Sequence, residues 1–282
     1  MFGTVFGGYL MEGGHIQVLI QPIELMIIGG AALGSLLISS PISLLKAMVA
    51  QLIGTITKKG SPTEEEFVSL LSLLFEIIKT AKGNPMSIEP HLDKPEDSEI
   101  FKKYPVVLHN HHALEFLCDT LRMMISTMMN PYDLEDLMDT DINSAHEEEH
   151  KVPATVTRIG DAMPGLGIVA AVLGVVITMG KLAEGKEVIG HSVAAALVGT
   201  FLGILLSYGF MQPLAAKIEL NIAGEGRFFQ VIKVALISYA KNCSPKVCVE
   251  FARRSIPPES RPSFEVVDKA TSSVKAAPGA AA

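Results

Sequence analysis

Hydrophobic residues form three long uncharged runs in this chain, and most of the charged residues lie between and after them. The first run, Leu25 to Leu45, is long enough to cross roughly 30 Å of hydrocarbon as a helix. Two later runs, 164–180 and 188–216, are also free of Asp, Glu, Lys and Arg. The segment 1–11 is equally apolar but is too short to span alone, so it resembles half of a span.

The stretch between the first and second runs has helical start and stop signals. Ser61 to Glu64 has the spacing of a capping box, and it predicts a helix over 62–82 that ends at Asn84-Pro85. Another helix is expected over 114–129, and Asn130-Pro131 predicts the start of a third, acidic one. We therefore expect an all-α protein: a polytopic membrane helix bundle of four spans, the first truncated, with a helical cytoplasmic domain.

This pattern divides the chain into five predicted segments. They are two membrane spans (1–45), a cytoplasmic helical domain (46–163), two further spans (164–216), a cytoplasmic helical region (217–264) and a disordered tail (265–282). The orientation follows from Lys and Arg near the helix ends, which place the large loop and the C-terminus in the cytoplasm.

Composition supports the membrane assignment and removes one class of partner. The mean hydropathy is +0.37 and only 19% of the residues are charged, so part of the surface is expected to face membrane lipid. The net charge of −7 argues against nucleic-acid binding, which needs clustered basic residues. Three cysteines without a CxxC pair indicate neither a disulfide framework nor a zinc knuckle.

Small residues recur at helical spacing within the last two spans. Gly199, Gly203 and Ser207 lie four residues apart and form one face, and Gly167 lies on a similar face of the preceding span. Such faces predict tightly packed helix neighbours, although any single glycine pair is a common pattern without functional meaning.

The spans lack an ionisable residue in their interiors. Glu24, Asp161 and His191 are placed by the pattern at the span margins, so a partner would have to supply the carboxylate if ions cross. Thr200 is the best internal candidate for lining a path, because its hydroxyl can offer an oxygen to an ion or to a water wire. The alternative is that this hydroxyl bonds to a carbonyl of its own helix.

One enzyme motif occurs, and we interpret it as a charged helix end. His146 to His150 fits the HExxH pattern of zinc proteases, but it lies in a solvated run of acids without a third ligand. We therefore expect no catalytic centre, no metal and no cofactor, and a membrane metalloprotease stays only as an alternative.

Six strings of the chain resemble the MotA family of flagellar stator proteins. They are GTVFGGYLM (3–11), QPIELMIIGG (21–30), SEIFKKYP (98–105), GDAMPGLGIVAAVLGVV (160–176), LVGTFLGILLSYGF (197–210) and RPSF (261–264). The resemblance implies a bacterial inner-membrane subunit that forms a ring, thought to hold five copies, around MotB-like partners. The partner would bear the proton-binding Asp, and proton flow would turn the ring against the rotor switch protein FliG.

The resemblance also implies roles for individual residues. Pro164 and Pro213 match prolines tied to coupling ion flow to motion, although each is also consistent with a proline at a helix end. Ala171 matches a position that holds Thr in sodium-driven relatives, so it points to protons. Rotor-facing charges match Glu89 and Lys82, with Lys79 as a substitute for the latter.

The sequence leaves four further hypotheses open. Family members carry about ten more apolar residues before the first string, so we expect the true start codon upstream. The ExbB and TolQ subunits, which also surround a carboxylate-bearing partner, are an alternative family, and a sodium-driven stator is an alternative within this one. A non-conducting helical scaffold is the fourth.

Overall fold

The computed structural model describes residues 1–57, 62–127, 129–180 and 185–274, and no residue in these ranges lies in a strand. The helices are α1 (Phe2–Met11), α2 (Ile16–Leu19), α3 (Pro22–Ser39), α4 (Ile42–Thr57), α5 (Glu64–Gly83), α6 (Glu89–Asp93), α7 (Pro105–Leu108), α8 (His111–Ser126), α9 (Pro131–Gly180), α10 (Lys186–Leu206), α11 (Gln212–Ala240), α12 (Pro245–Ser255) and α13 (Phe264–Ser272). Short 3₁₀ helices cover Pro85–Ile88 and Phe101–Lys103, and a π-helical turn covers Ser207–Met211. The predicted all-α membrane fold is confirmed.

The chain forms two compact units. The first holds Met1–Lys58 and Glu149–Leu220, and the second holds Lys59–Glu148 and Asn221–Ala282. Consequently α9 and α11 each contribute to both units along their length.

The first unit contains the apolar helices. Within the described residues, Ile16–Ser39, Pro131–Gly180 and Ser192–Ala240 are long and apolar enough to cross a membrane. Many of their large apolar side chains are exposed, including Ile38 at 90% and Val176 at 63%. A surface of this kind is stable against hydrocarbon rather than water. Helix α1 is apolar but is only 10 residues long.

The first full span ends earlier than the sequence predicted. The prediction of one uninterrupted span from Leu25 to Leu45 is wrong, because α3 ends at Ser39 and α4 begins at Ile42. Ser40 has extended backbone angles, with φ −130° and ψ 135°. The cause is Pro41, which disfavours the helical conformation of the residue before it and offers no N–H to the helix ladder.

Helices α9 and α10 pack through backbone contact rather than through side chains. A methyl group added at Gly203 would lie 2.6 Å from the backbone oxygen of Met163 and 3.0 Å from the Cα of Gly167. A methyl group at Gly167 would lie 2.8 Å from the backbone oxygen of Gly199. Glycine is required on both helices because no side chain fits between them.

The second unit has a conventional hydrophobic core. It is built from α5, α8, α11, α12 and α13, and it includes the ring pairs Phe67–Phe228 and Phe116–Phe229 with centroids 5.3 and 5.2 Å apart. Glu76 is buried in this unit, where Lys103 at 2.5 Å and the Tyr104 hydroxyl at 2.9 Å compensate its charge.

Two local predictions in the second unit need correction. The capping box of α5 begins at Thr63, whose hydroxyl accepts from the Glu66 N–H, and not at Ser61, which lies outside the described residues. Residues 265–272 were expected in a disordered tail, but they belong to α13, because Ser263 caps that helix and Val267 is buried against the core. Residues 275–282 lie outside the described part of the chain.

An ion-pair cluster holds α12 in place. Glu250 accepts hydrogen bonds from Arg253 at 2.8 Å and from Arg254 at 2.7 Å. The hydrogen bond from Arg253 is the main reason that the pKa of Glu250 is lowered to about 2. The Arg253 guanidinium also donates to the Pro262 carbonyl, so it ties α12 to the segment that leads into α13.

The close backbone contact at Gly203 predicts that a larger residue at this position destabilises the protein. Gly203→Ala forces α9 and α10 apart, and we expect it to lower the free energy of unfolding by about 1–3 kcal/mol. Gly165→Ala is the matched control, because a methyl group there meets no atom within 4 Å in this chain. Thermal unfolding of the full chain in detergent would measure both, and equal midpoints would contradict the predicted contact.

Candidate ion path and coupling residues

The residues predicted to line an ion path come together where α9 and α10 touch. A methyl group at Gly167 would lie 3.3 Å from the Cα of Thr200, and one at Gly199 would lie 3.4 Å from the backbone nitrogen of Ala171. The sequence placed these four residues on two helices, and the structure places them at one contact. Because the side chains here are small, the backbones of the two helices lie close together beside Thr200.

Thr200 differs from Thr178 of the first unit in its hydrogen bonding. Thr200 is half-buried, and its hydroxyl forms no hydrogen bond with any residue that the structure describes. Thr178, in the same unit, instead donates to the Gly174 carbonyl at 2.8 Å. The alternative in which Thr200 bonds to a carbonyl of its own helix is therefore wrong for this structure.

An acidic side chain that the sequence placed at a span margin lies inside the unit. Glu24 belongs to α3, within the span Ile16–Ser39, and is only 8% exposed. Its Oε2 lies 2.9 Å from the position of a methyl group at Gly199, and its Oε1 lies 3.8 Å from one at Gly174. The prediction that the spans hold no internal acid is therefore wrong.

A sequence signal for this burial was available. The buried residues of α3 recur every fourth position, and they are Glu24, Ile28, Ala32 and Leu36. This spacing puts Glu24 on the buried stripe of its helix. Reading Glu24 only as the charged boundary of an apolar run missed that periodicity.

The two prolines predicted to couple ion flow to motion lie beside one hydrogen bond between α9 and α11. Asp161 lies three residues before Pro164 in α9, and its Oδ1 accepts from the Nε2 of Gln212 at 2.7 Å. Gln212 directly precedes Pro213, so the structure brings the two prolines into the same neighbourhood.

Neither proline marks the end of a helical run. Pro164 lies inside α9, so its interpretation as a helix-terminal residue is wrong. Pro213 is the second residue of α11, which follows the π-helical turn without a break. Its ring would crowd the carbonyl of Gly209 in a regular helix, and the wider turn accommodates that conflict.

The predicted rotor-facing charges differ in accessibility. Lys82, in the last turn of α5, and Glu89, the first residue of α6, are both exposed. Lys79 is half-buried, and its Nζ donates to the Val274 carbonyl at 3.2 Å and lies 5.7 Å from the Phe75 ring. Lys82 therefore has the freer ammonium group of the two lysines.

The HExxH pattern was expected at a helix end, but it lies in the interior of a helix. His146 to His150 is in the interior of α9, and the His146 side chain is exposed. Within the described residues, no group of three or more His, Cys, Asp or Glu side chains lies close enough together to hold a metal ion.

Two families match the sequence. Residues 1–85 match the family described as Motility protein A N-terminal, and residues 109–229 match the MotA/TolQ/ExbB proton channel family. Motility protein A of Salmonella typhimurium is 39% identical over 266 residues, covering 94% of this chain and 90% of that protein. Motility protein A of Escherichia coli is 39% identical over 277 residues, covering 98% and 93%.

Two solved structures have a similar fold. The structure of C. jejuni MotAB aligns with a TM-score of 0.75 at 18% identity, covering 93% of this chain and 95% of that chain. The flagellar MotAB stator complex from Bacillus subtilis aligns with a TM-score of 0.72 at 22% identity, covering 92% and 94%. The identity to the two motility proteins, over nearly the whole of each chain, decides the assignment: this chain belongs to the MotA family of flagellar stator proteins.

Proposed function

We propose that this chain conducts protons across the bacterial inner membrane together with a MotB-like partner and converts the flow into torque on the flagellar rotor. The observation that carries this proposal is the free Thr200 hydroxyl at the close contact of α9 and α10, in a chain of this family. A hydroxyl that satisfies no carbonyl of its own helix can exchange hydrogen bonds with water or with a partner's carboxyl group.

The partner is a membrane helix that carries a carboxylate. MotAB is the assembly named for the two solved structures of similar fold. A ring of copies of this chain, with five as the proposed number, would enclose such helices. The apolar exposed faces of the spans would then divide between lipid and neighbouring copies.

Protons are the proposed coupling ion. Ala171 lies at the contact with Gly199 and offers no side-chain oxygen there. Sodium needs several oxygen ligands, whereas a proton needs only a chain of hydrogen bonds. Swimming in sodium-free medium would favour protons, and a strict sodium requirement would favour the sodium-driven alternative.

The proposed topology places the second unit in the cytoplasm, where the exposed Lys82 and Glu89 face the rotor switch protein FliG. Exposed ion pairs are each worth about 0.2–1 kcal/mol and are screened by salt. Weak contacts of this kind suit a surface that must bind and release at every step of rotation.

Thr200→Val tests the ion path. The substitution keeps the shape of the side chain and removes the hydroxyl, so we expect proton flux through the complex to fall about tenfold. Thr178→Val is the matched control, because the Thr178 hydroxyl already donates to the Gly174 carbonyl. Acidification of vesicles that hold the complex would measure the flux, and wild-type flux in Thr200→Val would refute the lining role.

Pro164→Ala tests coupling. Restoring the missing N–H adds a hydrogen bond to the ladder of α9 and stiffens it beside the Asp161–Gln212 hydrogen bond, and we expect swimming to be lost at a normal protein level in the membrane. Pro153→Ala is the control, because Pro153 also lies inside α9. Unchanged swimming in Pro164→Ala would exclude a coupling role for this proline.

Charge reversal tests the rotor contact. We expect Lys82→Glu and Glu89→Lys each to slow swimming modestly, with a larger loss in the double variant and a smaller difference from the wild type at high ionic strength, where salt screens the charges. Lys102→Glu is the control, because Lys102 is also an exposed lysine of the second unit. Equal swimming of the Lys82 and Lys102 variants would argue against a rotor contact at Lys82.

A further inference from the structure

Glu24 is a buried acid of the first unit, and proton conduction as proposed so far gives its carboxyl group no role. It is 92% buried, being 8% exposed, and its Oε2 has no hydrogen-bond partner in the described part of the chain. An ionised carboxylate without a partner in such a place costs several kcal/mol. Burial of the neutral, proton-bearing carboxyl group at such a place costs far less than burial of the carboxylate.

The position of Glu24 links it to the Thr200 region. The carboxyl group points from α3 to the contact of α9 and α10, beside Gly199, which directly precedes Thr200. Glycine at 199 makes room for it, because a methyl group there would lie 2.9 Å from Oε2. The same glycine therefore serves helix packing and accommodates an acid.

The surroundings fit a proton better than a metal cation. The carboxyl oxygens lie beside Gly174 and Gly199, and the methyl groups of Ala170 and Ala196 pack against the same two glycines. The Gly174 carbonyl already accepts from Thr178. A sodium ion would need several free oxygens, and this set does not supply them.

The depth of the site suits entry from outside the cell. Gly174 lies six residues before the end of α9 at Gly180, which is about 9 Å along a helix. In the proposed topology that end faces away from the cytoplasm. The carboxyl group thus lies below the outer surface of the membrane and before the path reaches Thr200.

We propose that Glu24 is a second proton-binding site of the stator, located on this chain and not on its partner. Its carboxylate takes one proton from water on the outer side and releases the same proton toward the partner's carboxylate past Thr200. This inference rests on the proposed proton conduction, and it adds a carrier to a path that otherwise has only the partner's acid.

Two substitutions separate proton binding from helix packing. Glu24→Gln keeps the shape and cannot exchange a proton, whereas Glu24→Asp shortens the side chain and keeps the acid. If Glu24 carries protons, flux falls at least tenfold in Glu24→Gln and is better retained in Glu24→Asp. If Glu24 only packs, the order is reversed, and that result would overturn the proposal.

The flux assay has controls for assembly and for the underlying function. Glu12→Gln removes an exposed acid near α1 and is expected to conduct like the wild type. The amount of complex in the membrane is compared for every variant. If the wild-type complex itself moves no protons, the proposed function fails, and the protonation of Glu24 is still tested by a chemical readout.

That chemical readout is labelling with dicyclohexylcarbodiimide, which reacts with protonated carboxyl groups in apolar surroundings. We expect mass spectrometry of the wild-type complex to find the label on Glu24 at least ten times more often than on Glu12. An unlabelled Glu24 would overturn the proposal whether or not the variants assemble.

Discussion

The close approach of α9 and α10 is the contact on which the rest of the membrane unit depends. Backbone meets backbone at Gly167, Gly199 and Gly203, so the two helices gain dispersion contacts along a line that no side chain interrupts. In lipid there is little hydrophobic driving force between helices, and close packing must supply much of the attraction. The positions of Thr200 and Ala171 follow from this contact, and Gly199 within it leaves the space that the Glu24 carboxyl group of α3 occupies.

The two units are stabilised by different physics. The first exposes apolar side chains such as Ile38 and Val176 and packs through small residues. The second buries aromatic rings and compensates its buried acid Glu76 with Lys103 and Tyr104. The chain thus carries one unit adapted to hydrocarbon and one adapted to water, in alternating segments of sequence.

Long-range periodicity made the fold predictable, whereas contacts between helices did not follow from it. The apolar runs and the small-residue spacing of Gly199 and Gly203 were sufficient to predict spans and a packing face. The burial of Glu24 depends on a third helix, α3, whose register against α9 and α10 a single sequence does not encode locally. Pro41 was a local signal, and it was outweighed by the hydrophobicity of the run around it.

The π-helical turn at Ser207–Met211 has a mechanical consequence. A helix resists bending through its ladder of hydrogen bonds, and here a wide turn is followed after one residue by Pro213, which has no N–H to contribute. The Ser207 hydroxyl is fully buried with no hydrogen-bond partner among the described residues, so nothing from that side chain braces the turn. Bending at this turn therefore breaks fewer hydrogen bonds than bending in a regular α-helix, and the segments on its two sides can tilt against each other at lower cost.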